Sequence, residues 1–119
     1  MRYQRGSLQR HEQLKYWILA HPEIVGIDKN TIISACTEYP LRKRHRAIAQ
    51  PDVVISHLVN DRVKTTFVEV KSGNGKRSRI DLTNQLRKIA NYLRGRHINT
   101  AVIGVYPDAD TGHFCVVTA

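Results

Sequence analysis

A chain of 119 residues, 41% hydrophobic and 24% charged, suits one ordinary globular domain and leaves no room for a second. Nineteen Lys and Arg against ten Asp and Glu give a formal net charge of +9. That excess points to a polyanionic partner, nucleic acid first, because each phosphate neutralised releases a counterion. An anionic membrane is the rival, but the sequence has neither a long apolar run nor a secretory h-region, so insertion and export are not expected, and an intracellular protein, cytoplasmic or DNA-associated, is.

In chain order, Ser7 is placed to cap a first helix running to about Ala20, before His21-Pro22. Thr31 to Tyr39, rich in β-branched residues, reads as a strand, and Leu41 to Gln50 as a basic connection. Val53 to Val59 and Val63 to Lys71 read as strands joined by a tight turn at Asn60-Asp61. Ser72 to Gly75 is a loop, and Ser78-Arg79-Ile80-Asp81 resembles a capping box opening a helix to about Leu93, with Gly95 as its stop. Thr100 to Tyr106 and His113 to Thr118 read as strands around a turn at Pro107 to Gly112. The order α-β-β-β-α-β-β predicts an α/β protein with a mixed sheet and helices packed on it. Leu82, Leu86, Ile89, Ala90 and Leu93 form one helical stripe, leaving Arg87, Lys88, Arg94 and Arg96 away from its centre.

Cys36 and Cys115 are the only cysteines; without a CxxC or Cys/His spacing a structural zinc site is not expected, and both read as reduced, mostly buried thiols. The six histidines, His11, His21, His45, His57, His97 and His113, are scattered and read as surface or packing residues. Tyr16 and Trp17 read as core rather than as a base-stacking platform.

Asp52, Glu69 and Lys71 stand apart. They lie in the apolar, strand-forming runs Pro51-Asp52-Val53-Val54-Ile55 and Val68-Glu69-Val70-Lys71, where an unpaired charge costs several kcal/mol. If Asn60-Asp61 is a two-residue type I′ turn, Val59 pairs with Arg62 and Asp52 falls opposite Glu69, with Lys71 on the same face. A three-residue turn would shift the parity unless a bulge restored it. Two carboxylates can bind a hard cation such as Mg²⁺, which acts as a Lewis acid and lowers the pKa of a bound water, and a neighbouring lysine can orient that water or stabilise developing charge. A structural Asp-Lys/Glu-Lys network is the bland alternative.

Pro51-Asp52 followed after one hairpin by Glu69-Val70-Lys71 resembles the signature of the PD-(D/E)xK nucleases, which include restriction endonucleases, Holliday-junction resolvases, RecB-type and VRR-NUC domains. The αβββαβ order is similar to their restriction-endonuclease-like core over roughly residues 7 to 106. The resemblance implies that Asp52 and Glu69 ligate Mg²⁺ (with Mn²⁺ as a substitute), that the Val70 carbonyl assists, and that Lys71 serves the attacking water. Glu12, on a helical face with Leu8 and Leu19, resembles the metal-assisting glutamate of the family's first helix, and Gln85 the glutamine several branches place beside the active site. RecB-type domains carry a Tyr four residues after that Gln, where this chain has Ile89, with Tyr92 later; the Ser-x-x-Gln spacing of VRR-NUC domains is also imperfect, so no branch is assigned. Glu38 is a weaker candidate ligand. Arg42, Lys43, Arg44, Arg46, Lys76, Arg77 and Arg79 are candidates for phosphate contact, and Ser72 to Arg77 lacks the spacing of a P-loop. The implied activity is metal-dependent hydrolysis of DNA, with RNA left open and a homodimer expected for gripping a large substrate. The alternatives are an inactive nucleic-acid-binding module of the same fold and an adaptor for an acidic partner.

Overall fold

The computed structural model describes residues 2–96, 99–108 and 113–119, with side chains described from residue 9 onward. Helix α1 (Arg2–Ala20) is followed by two short 3₁₀ turns (Pro22–Val25 and Lys29–Thr31), strand β1 (Ile32–Thr37), a small hairpin β2 (Leu41–Lys43) and β3 (Arg46–Ala49), strands β4 (Val53–Val59) and β5 (Arg62–Val70), helix α2 (Lys76–Leu93), and strands β6 (Thr100–Pro107) and β7 (Phe114–Thr118).

The main sheet has the order β1-β4-β5-β6-β7. Only β5 and β6 are parallel; the other neighbours are antiparallel. The parallel step requires a crossover, and α2 supplies it. The chain is therefore an α/β protein with a mixed sheet and two helices. Alternation along the strands divides the core in two. Val53, Ile55, Val68, Val70, Ile103 and Val105 pack with Ile18 of α1 on one face. Val54, Phe67 and Val102 pack with Leu82, Leu86, Ile89 and Leu93 of α2 on the other. Each of those leucines, withdrawn from water, contributes about 2 kcal/mol. Gly104 lets α2 approach: a Cβ there would meet Leu82 Cδ2 and Leu86 Cδ1 at 2.9 Å.

Several expectations need correction. The helix assigned from Ser7 begins at Arg2, ahead of Ser7, so that residue is not its cap. Ser78 does not open α2: the helix starts at Lys76 with Gly75 as N-cap and no side-chain cap, so Ser78 lies in its first turn. The basic connection over 41–50 is itself a hairpin, turning at Arg44 and His45, whose φ angles of 51° and 69° make the left-handed pair of a type I′ turn. The strand expected over Thr31–Tyr39 is shorter, because Glu38 takes a left-handed φ of 56° and breaks the extension. Tyr16 and Trp17 are 59% and 37% exposed, so neither is core. Cys36 is exposed and Cys115 half-buried, and both are free thiols. Most of the turn expected at 107–112, and His97, lie outside the described residues.

Candidate active site

The site is built by the β4–β5 hairpin. Asn60 and Asp61 have φ of 52° and 64°, the conformation of a type I′ turn, and Val59 pairs with Arg62. Pairing continues without slip to Val53 opposite Val68, which brings Asp52 opposite Glu69 one step further on. Two hydrogen bonds fix the pair: the Asp52 N–H donates to Glu69 Oε1 at 3.1 Å, and the Val70 N–H donates to Asp52 Oδ2 at 2.8 Å. Each carboxylate thus holds the backbone of the opposite strand, using one oxygen to do so. The Lys71 N–H donates to the Val105 carbonyl at 2.9 Å, which ties the end of β5 to β6.

Both carboxylates are buried, Asp52 at 8% and Glu69 at 7% exposure. Burial, then repulsion from Asp52, pushes the Glu69 carboxyl up from 4.5 to about 8; the Asp52 N–H, Lys71 and His11 pull the other way without prevailing. Two buried carboxylates that resist joint ionisation form a site that a cation would relieve.

Helix α1 adds two residues that the sequence reading passed over. His11 Nε2 lies 3.2 Å from Asp52 Oδ2. That hydrogen bond raises the His11 pKa, against the effect of burial. Lys15, one turn further, is 1% exposed and reaches Glu12 Oε1 at 2.6 Å and Glu38 Oε1 at 2.7 Å. Burial alone would lower the Lys15 ammonium, but its bonds to the two carboxylates raise it. The signal was present in the sequence: His11, Lys15 and Ile18 follow one another at i, i+4 and i+7, so a basic pair lies on the buried stripe of α1. Glu12 and Glu38 are therefore brought together with each other through Lys15, each about half exposed. Glu38 is also joined to the site's backbone, its N–H donating to the Asp52 carbonyl at 3.0 Å.

Gln85 of α2 and Glu69 line one cavity of about 150 Å³, together with Ile48, Gln50 and Lys88. Gln85 Oε1 is buried and has no hydrogen-bond partner among the described residues. Arg42, Lys43, Arg44 and Arg46 are exposed on the β2–β3 hairpin, and the Tyr92 hydroxyl of α2 donates to the Arg42 carbonyl at 2.8 Å. Lys76, Arg77 and Arg79 are exposed on the first turn of α2, with Arg77 3.9 Å from Asp81. The structure thus gathers Asp52, Glu69, His11 and Gln85, with Lys71 close enough for its charge to act on Glu69.

No protein-family model, curated protein or solved structure matches the chain. Among the described residues, no group of three or more His, Cys, Asp and Glu side chains is arranged to hold a metal ion. The protein ligands on offer are two carboxylates, a donor set that suits a hard cation keeping several of its own waters better than one demanding a full protein cage. No helix among the described residues is long and apolar enough to cross a membrane.

Proposed function

We propose that this chain is a metal-dependent nuclease of the PD-(D/E)xK type with a restriction-endonuclease-like core, hydrolysing phosphodiester bonds in DNA. The observation that carries the reading is the buried Asp52–Glu69 pair, facing across the hairpin with Lys71 two residues beyond Glu69. Setting the β2–β3 hairpin aside as an insertion, α1, β1, β4, β5, α2 and β6 follow the αβββαβ order of that superfamily.

Asp52 and Glu69 would hold Mg²⁺ or Mn²⁺, with the Val70 carbonyl as a further oxygen donor. The cation, when bound, supplies Lewis acidity and a water of lowered pKa. The backbone bonds to Asp52 and Glu69 hold both carboxylates in register before any ligand arrives, so little reordering is needed. The Lys71 ammonium orients the attacking water or balances the charge that develops on the phosphate. Gln85 lines the cavity beside Glu69, and its buried, unpartnered Oε1 would accept a hydrogen bond from a water held there. The exposed arginines and lysines of the β2–β3 hairpin and the α2 start attract the phosphate backbone without reading bases.

Plasmid, linear duplex and branched DNA incubated with Mg²⁺, with Mn²⁺ and with EDTA test the reading. Cleavage that requires the cation and disappears in Asp52→Asn supports it. Cation-independent binding with no cleavage of any substrate would assign the chain to an inactive binding module instead.

A further inference from the structure

A cavity of about 520 Å³ separate from that of Gln85 lies between α1 and the β6–β7 edge, with Arg10, Gln13, Trp17, Ser72, Pro107 and Phe114 in its walls. The volume falls within the range of sites that enclose a small ligand, about 300–1,000 Å³. Its apolar lining is Leu14, Pro107 and two aromatic rings, Trp17 and Phe114. Trp17 meets Phe114 at 4.8 Å between ring centroids, tilted 35°, and His21 at 4.7 Å, tilted 40°. Phe114 on β7 packs against the indole, yet Trp17 remains 37% exposed, so part of an aromatic surface is left open to solvent. Arg10 brings a cation to the rim, and none of the lining residues is acidic.

The position is as informative as the composition. Ser72 follows Lys71 in the chain, and Arg10 precedes His11, whose ring touches Asp52 at 3.2 Å. The cavity is thus bounded by the immediate neighbours of two residues of the candidate active site. We infer that this cavity receives an unpaired nucleobase next to the phosphate being cleaved, stacked on Trp17, with Arg10 at its backbone. The inference rests on the nuclease reading and narrows its substrate: a base paired inside a duplex cannot offer its face to Trp17, so the preferred substrates carry single-stranded nucleotides, as flaps, branches or free ends. An apolar peptide is the competing occupant. The net charge of +9 and the arginine at the rim favour a strand of polyanion over it.

Trp17 is the only tryptophan, so its fluorescence reports on the cavity without a label. The full chain in EDTA, where no cleavage occurs, is titrated with a single-stranded oligonucleotide, the duplex of the same sequence and a duplex bearing a flap. Labelled-DNA anisotropy follows total binding in parallel. Single-stranded and flapped DNA are expected to quench Trp17 emission saturably, and the duplex to raise anisotropy with little quenching. Trp17→Ala should weaken single-strand binding roughly 10- to 100-fold and leave duplex binding within about twofold, while Trp17→Tyr retains most of the difference. Should Trp17→Ala fail to fold, as judged by circular dichroism, the quenching of the unaltered protein decides. Binding of all three DNAs with no change in emission, or equal quenching by the duplex, overturns the inference and leaves the nuclease reading standing. DNA that binds neither in EDTA nor with Ca²⁺ in its place, and is not cleaved with Mg²⁺, overturns both.

Discussion

Replacing Glu69 by Gln separates what this carboxylate costs the fold from what it offers a cation. Its folded-state pKa is raised from 4.5 to about 8, chiefly by burial and by Asp52. A group with a raised folded pKa contributes fully below its unfolded value, and that contribution is lost as pH rises through the folded value. Between 4.5 and about 8 the unfolded carboxyl is ionised while the folded one keeps its proton, so stability falls by about 1.4 kcal/mol per pH unit. Over this interval the loss is of the order of 5 kcal/mol. Glu69→Gln keeps the shape and an oxygen to accept the Asp52 N–H but removes the titration. At about pH 8 it should melt on the order of 10–20 °C above the native protein, at about 4 °C per kcal/mol for a domain of this size, and the gap should close towards about pH 5. A divalent cation should distinguish the two proteins. In the native chain it displaces the Glu69 proton, so its affinity should rise by up to tenfold per pH unit below about 8, with a proton released on binding. At 100 times its Kd it should add about 2.7 kcal/mol of stability, an increment absent from Glu69→Gln. Thermal melts followed by circular dichroism across this pH range, and Mn²⁺ calorimetry in buffers of different ionisation enthalpy, measure both effects. Equal melting temperatures of the two proteins at every pH, together with cation binding that releases no proton, would refute the account of a strained carboxylate pair awaiting a cation.

Asp52→Asn and Lys71→Met should each reduce single-turnover cleavage by at least about 100-fold; calorimetry should show cation binding lost in the first and kept in the second. Gly104→Ala should cost about 1–3 kcal/mol in urea unfolding, since the added methyl meets Leu82 and Leu86 at 2.9 Å. The buried His57 ring bonds Thr66 Oγ1 at 2.9 Å, and burial, aided by Lys64, lowers its pKa. Its contribution is present above its unfolded pKa of 6.5 and is lost as pH falls through the lower folded value. The stability gap between the native protein and His57→Gln should therefore shrink from about pH 7 to about pH 5, read from urea midpoints, and a widening gap would reverse the sign.

The β4–β5 hairpin was legible in the sequence because its determinants are local. Asn60 and Asp61 tolerate left-handed φ, the alternation on both sides fixes which residues face the same way, and the register follows from the turn length. The opposition of Asp52 and Glu69 needed nothing more. The same holds for the α2 stripe, whose leucines read at helical spacing and are all buried. Chain packing decided the rest. Leu41 to Gln50 forms a hairpin beside α2, with the Tyr92 hydroxyl on the Arg42 carbonyl, a contact between residues fifty positions apart that no local preference encodes. Propensity also lost at the start of α2, where Gly75 ends the preceding loop and the helix begins before the polar residue that resembled a cap. The spacing of His11 and Lys15 puts them on the buried stripe of α1, but only the seating of α1 against the sheet shows that one reaches Asp52 and the other fills the space between Glu12 and Glu38. Trp17 was assigned to the core by its type, because a large apolar ring is most often buried. Its partial exposure depends on how far Phe114 and α1 cover it, a distance set by the tertiary structure alone.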